Sequence, residues 1–98
     1  MIKQVFTVYD EKSNAYLQPF FLDTKGQAIR AITDCVNDIG HAFGRHPSDY
    51  TLFHLGEYDD STGQFITDQK KSLGSLVEFK TQTVMFDDKQ LSIVGGTD

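Results

Sequence analysis

Apolar and polar positions first mix over Ile2–Tyr9, IKQVFTVY, with Ile2, Phe6 and Val8 apolar, Lys3, Gln4 and Thr7 polar, and β-branched and aromatic side chains dominant; this is the composition of a strand. The polar cluster Asp10–Ala15 turns the chain, and Tyr16–Leu22 reads as a second strand. Pro19 has no N–H to give a ladder, so this strand belongs at a sheet edge or carries a bulge. Helix signals follow at once. Thr24 and Gln27 form a T-x-x-Q capping box, with Asp23 adding negative charge at the same end. Ala28, Ile32, Cys35, Val36 and Ile39 then recur at three- and four-residue steps as one apolar stripe, and Gly40 is the expected stop. Arg30, Asp34, Asn37 and Asp38 fall away from the stripe. His41–Asp49 has the Gly and Pro of a loop.

The strongest pairing signal comes next. Tyr50–Tyr58 and Gln64–Thr67 read as antiparallel strands joined through Asp59, Asp60, Ser61, Thr62 and Gly63, with Gly63 supplying the left-handed residue that closes the loop. Leu73–Phe79 fits a short helix or a strand equally, Thr81–Phe86 and Gln90–Val94 have the Val, Ile and Phe of two more short strands, and Gly95–Asp98 is expected to fray. The predicted fold class is α+β: an antiparallel ββαββ sheet plus C-terminal strands, with one main helix packed on one face. A single domain is expected over residues 1–98, its core in 1–67 and a C-terminal segment at 68–98. One helix covers only part of such a sheet, so the other face is solvated or belongs to a ligand or partner subunit.

Composition narrows the compartment. The lone Cys35 excludes an internal disulfide and fits a reducing cytoplasm, and its place in the apolar stripe makes it a small core residue before a nucleophile. No apolar run approaches the ~18 residues of a membrane span, and no signal-peptide core opens the chain. The net charge of −5 argues against DNA, because phosphate binding is driven by Lys and Arg releasing counterions. The imbalance is concentrated in residues 57–98, however, which leaves the N-terminal half nearly neutral.

Candidate chemistry is sparse. His41, His46 and His54, with Asp49 nearby, have no compact metal-ligand spacing, and Asp59–Gly63 lacks the alternating ligands of a calcium loop, so no metal or other cofactor is expected. No nucleophile motif, Cys–His pair or phosphate-binding glycine loop is present, so no catalytic residue is assigned and no enzyme is expected. Aromatic residues carry more: eight Phe and four Tyr, with the tyrosines in or at the ends of predicted strands. Rings on an uncovered sheet face can stack unpaired bases at about 1 to 3 kcal/mol each without net positive charge. Tyr9, Tyr16, Tyr50 and Tyr58, with Lys3, Arg30 and Arg45 as phosphate contacts, are therefore the candidate nucleic-acid-binding residues, against the plainer reading of packed rings and solvated cations.

Four groups of residues carry a resemblance: Gln18-Pro19-Phe20-Phe21; Ala28-Ile29-Arg30-Ala31 with Asn37; Arg45-His46-Pro47 with Asp49; and Leu55-Gly56-Glu57-Tyr58-Asp59-Asp60 with Thr62-Gly63. Across Lys3–Phe65 the chain resembles the small nonstructural protein of gokushovirus-type microviruses, single-stranded DNA bacteriophages. The resemblance implies a DNA-binding protein of the host cytoplasm that acts in the switch from duplex replication to single-stranded genome synthesis and is not a virion component. It implies no catalytic residues and a variable segment after Asp68. With so few cations, the DNA is expected to be single-stranded and the protein a homo-oligomer, whose several weak sites would engage one strand. The alternative is a protein-interaction module that regulates the replication initiator, the procapsid or a host factor without touching DNA.

Overall fold

The β-branched and aromatic run at the N-terminus becomes the central strand β1 (Ile2–Asp10) in the computed structural model, which describes residues 1–67 and 70–81. Its main partner is β4 (Tyr50–Asp59), antiparallel from Ile2 opposite Asp59 to Asp10 opposite Tyr50. Each outer edge of this pair is completed by two short strands in place of one long strand. β2 (Ala15–Tyr16) and β3 (Phe20–Leu22) both pair with β1, while β5 (Gln64–Ile66) and β6 (Lys71–Ser75) both pair with β4. The sheet is antiparallel throughout, and the fold is α+β as predicted.

Pro19 explains the broken edge. The single strand expected over Tyr16–Leu22 is interrupted at Leu17-Gln18-Pro19, and the edge resumes at Phe20 opposite Phe6. The gap stays anchored, because the Leu17 N–H donates to the Val8 carbonyl at 2.8 Å and the Thr7 hydroxyl donates to the Leu17 carbonyl at 2.7 Å. On the far side of the sheet, the turn after β4 closes as expected. The Gly63 N–H donates to the Asp59 carbonyl at 2.7 Å, and Gly63 has φ 76°, a region only glycine enters cheaply.

Helix α1 (Lys25–Val36) crosses one face of the sheet. Thr24 caps it, its Oγ1 accepting from the Gln27 N–H at 3.1 Å. The reciprocal bond runs one residue early: Gln27 Oε1 accepts from the N–H of Asp23, at 3.0 Å, and not from that of Thr24. Ala28, Ile32 and Val36 are buried and Cys35 is half-buried, but Ile39 is 79 % exposed, which corrects the predicted stripe. The helix stops three residues before the expected position because Asn37 becomes its cap. The Asn37 Nδ2 donates to the carbonyls of Thr33 and Phe79, at 2.8 and 3.2 Å, and its Oδ1 accepts from the Thr81 N–H at 2.8 Å. Once the chain leaves the helical path, three-and-four spacing no longer points Ile39 inward.

His41–Asp49, expected as loop, holds a single helical turn α2 (Ala42–Arg45) and a 3-10 turn over Pro47–Asp49. The ambiguous Leu73–Phe79 divides between β6 and a 3-10 turn over Leu76–Phe79. The core is Phe6, Val8, Ala28, Ile32, Val36, Leu52 and Leu76, with Phe20, Leu22, Phe43, Tyr50, Leu73 and Phe79 packed around it. Leu76 is fully buried, so the core draws on residues beyond 67. The two strands predicted after Thr81 lie outside the described residues.

Candidate nucleic-acid interface

Side chains alternate across a strand, so the residues of β1 divide between the helix-covered face and the opposite one. Gln4, Phe6 and Val8 go to the helix side; Lys3, Val5, Thr7 and Tyr9 go to the other, which no element among the described residues covers. β4 follows the same division only because of a bulge. Phe6 pairs with His54 but Val5 pairs with Gly56, which leaves Leu55 as the extra residue. Strict alternation from Phe53 would have brought Leu55, Glu57 and Asp59 to the open face. The bulge instead puts Gly56 and Tyr58 there with Phe53 and sends Glu57 and Asp59 to the helix side, where Asp10 of β1 lies. On the helix side the Gln4 amide links the two ends of the bulge, accepting from His54 Nε2 at 2.8 Å and donating to Glu57 Oε2 at 3.3 Å.

Two aromatic clusters result on the open face. At one end Tyr16 lies between Tyr9 and Phe53, with ring centroids 4.7 and 5.7 Å apart, and the Lys70 ammonium sits 4.3 Å from the Tyr16 ring and 5.0 Å from that of Phe53. Lys70 also donates to the Tyr16 hydroxyl, and the Tyr9 hydroxyl donates to Asn14 Oδ1 at 3.1 Å. At the other end Phe21, Tyr58 and Phe65 form a triangle, with centroids 4.8 to 6.0 Å apart. The outer ring of each group stays accessible: Tyr16 is 45 %, Phe21 42 % and Phe65 57 % exposed. Lys3, opposite Tyr58, pairs with Asp23 at 2.6 Å, and the bond to that carboxylate holds its ammonium above the usual lysine range.

Four of the seven residues singled out from the sequence, Lys3, Tyr9, Tyr16 and Tyr58, therefore share this face. The other three do not. Tyr50 shares the face of Leu52, and its ring packs on Phe43 at 4.7 Å at the edge of the core. Arg30 is exposed on α1, beside Thr24, Gly26 and Gln27, on the helix side of the sheet. Arg45 donates to the Ile39 carbonyl at 3.3 Å at the end of α2. Sequence reasoning missed Phe21, Phe53, Phe65 and Lys70. The Phe53 and Phe65 positions were readable, since Phe53 alternates with Leu52 and Phe65 faces Tyr58 across the hairpin. Nothing in the local pattern marked Lys70.

The other candidate groups have structural partners. His41 Nδ1 caps α2 by accepting from the Phe43 N–H at 3.0 Å, His54 is tied to Gln4, and His46 is exposed. Among the described residues no three His, Cys, Asp or Glu side chains converge on a common metal position. Asp59 Oδ1 accepts from the Ser61 N–H at 2.9 Å, which is ordinary turn geometry. Asp60 pairs with the N-terminal amine at 2.6 Å, and that bond lowers its carboxyl pKa. Cys35 lines an apolar cavity of about 260 Å³, between α1 and the broken edge, with Val8, Leu17, Phe20, Ile32 and Phe43. Burial pushes its thiol up, which keeps it protonated and slow to react.

A helix-backed antiparallel sheet whose free face carries clustered rings and lysines defines a small α+β domain with one exposed aromatic surface. The chain belongs to the family described as Phage ORF5 protein, whose model matches residues 3–79, from β1 to the end of the Leu76–Phe79 turn. It is thus a bacteriophage protein. No curated protein and no solved structure matches the chain. No helix among the described residues is long and apolar enough to cross a membrane.

Proposed function

We propose that this phage protein is a non-enzymatic replication accessory that holds single-stranded DNA on its open sheet face. The observation that carries the reading is the sorting of side chains across the sheet, in which the alternation of β1 and the bulge at Leu55 together gather rings and Lys3 on one side and turn Asp10, Glu57 and Asp59 to the other. A net charge of −5 opposes any DNA complex at long range, but ionic attraction is screened beyond about 8 Å at physiological salt, whereas stacking acts at contact. The local face therefore matters more than the total. On the resemblance to gokushovirus-type microviruses, the protein works in the host cytoplasm, outside the virion, in the switch from duplex replication to single-stranded genome synthesis. Self-association would place several such faces on one strand.

A fluorescence anisotropy titration with labelled single strands and duplexes, at low and moderate salt, tests this. Saturable binding of the single strand with weaker binding of the duplex is expected, and no binding at tens of micromolar protein rejects it. One feature favours a second reading, that of a module engaging the replication initiator, the procapsid or a host factor. On the edge strand β5, Phe65 and its neighbour Ile66 are 57 and 48 % exposed on opposite faces, as suits pairing with another chain. A pull-down from infected cells that recovers nucleic acid and no stable protein partner counts against that reading.

A further inference from the structure

Resting on the assignment of the open face to single-stranded DNA, we infer that the face is bipartite: two stacking subsites, each with its own lysine, which one strand must span to be held well. The first subsite is Tyr16 with Tyr9, Phe53 and Lys70. The second is Phe21, Tyr58 and Phe65, with Lys3 opposite Tyr58 in the ladder. Between them the described residues offer a base nothing to stack on, because Val5 and Thr7 are 3 and 2 % exposed and the Thr7 hydroxyl is committed to the Leu17 carbonyl. The two subsites are thus separate, not parts of one continuous platform.

Charge placement selects the occupant. Each ring cluster has one cation within reach of a phosphate beside a stacked base, and the carboxylates of the two central strands lie on the far face. The Lys3–Asp23 pair is exposed, and such pairs are held weakly enough for a phosphate to take the place of the carboxylate. From Tyr9 to Lys3 along β1 the separation is roughly 20 Å at about 3.3 Å per residue. At about 3.4 Å per stacked nucleotide that is about six nucleotides, and fewer for an extended strand. A fragment too short to bridge engages one subsite; a longer one engages both, and the second contact becomes intramolecular.

The test is an affinity series on the whole chain with oligothymidylates of roughly two to twelve nucleotides, spanning the site sizes usual for single-strand binders. Affinity should rise at least about tenfold between fragments that reach one subsite and those that reach two, then level off. The paired substitutions Phe21→Ala and Phe65→Ala, both at exposed rings, should abolish the step, so that long fragments bind no tighter than short ones. Lys70→Ala, which removes an exposed side chain of the first subsite, should weaken the fragments long enough to reach both subsites and shrink the step, and serves as the variant at a single exposed position. Binding that grows only in proportion to length, or a step that survives the Phe21/Phe65 pair, overturns the bipartite site and leaves single-strand binding standing. Absence of binding at every length, with self-association by sedimentation, gives the face to a second copy of this chain and overturns both.

Discussion

Gly56 is the residue on which the open face most depends. It has φ 148°, and a Cβ there would come 2.3 Å from the Ile66 carbonyl oxygen, so both the bulge and the close approach of β5 require glycine. Gly56→Ala is expected to cost at least about 2 kcal/mol in urea denaturation, from backbone strain plus displacement of β5. Two charged residues make a prediction with a definite sign. The Asp60 pKa is lowered by its bond to the N-terminal amine, so its contribution is present above the ordinary aspartate pKa and is lost as pH falls through the lower folded value. The Lys3 pKa is raised by Asp23, so its contribution is present below the ordinary lysine pKa and is lost as pH rises through the higher folded value. The difference in thermal midpoint between Asp60→Asn and wild type should therefore shrink in acid, and that between Lys3→Met and wild type should shrink in strong base.

At the scale of elements, helix α1 gives a paired test of where the fold departs from its periodic pattern. Ile32 is buried against the sheet, and Ile32→Asp, which places a charge in the core, is expected to unfold the protein. Ile39 is exposed beyond the Asn37 cap, and Ile39→Asp should stay within about 0.5 kcal/mol of wild type by the same denaturation assay. The three- and four-residue spacing puts both on one apolar stripe, with Ile32 the position expected to tolerate Asp least. What was legible followed from local chemistry: the Thr24 cap, the Gly63 turn, the β-branched and aromatic content of β1, and Pro19 at an edge. What was not legible needed partners distant in sequence. The Asn37 cap depends on Phe79 and Thr81, and the bulge at Leu55 is visible only once β1 and β4 are in register. Half the candidate site, Lys3, Tyr9, Tyr16 and Tyr58, was named from the sequence, but because that bulge inverts the parity of Gly56–Asp59 the reason Tyr58 sides with Tyr9 was not. Tyr50 was misread for the opposite reason, since its parity with Leu52 was already available.

For the molecule as a whole, the account predicts an acidic protein that binds DNA with little dependence on salt. Among the described residues two lysines, Lys3 and Lys70, stand on the open face, and at about 0.7 counterions released per phosphate contact on single strands they give a log–log slope of about −1.4. A protein that depended on charge would show a much steeper one. The most direct measurement uses the absence of Trp, which leaves four tyrosines as the intrinsic emitters. Tyr9, Tyr16 and Tyr58 lie on the open face and Tyr50 packs against Phe43 on the other side, so three of the four should report stacking and one should not. Unlabelled oligothymidylate titrated into the protein should quench most of the tyrosine emission saturably, with the same midpoint as the anisotropy change. Binding by anisotropy with tyrosine emission unchanged would contradict the account, because the strand would then be held somewhere other than on these rings.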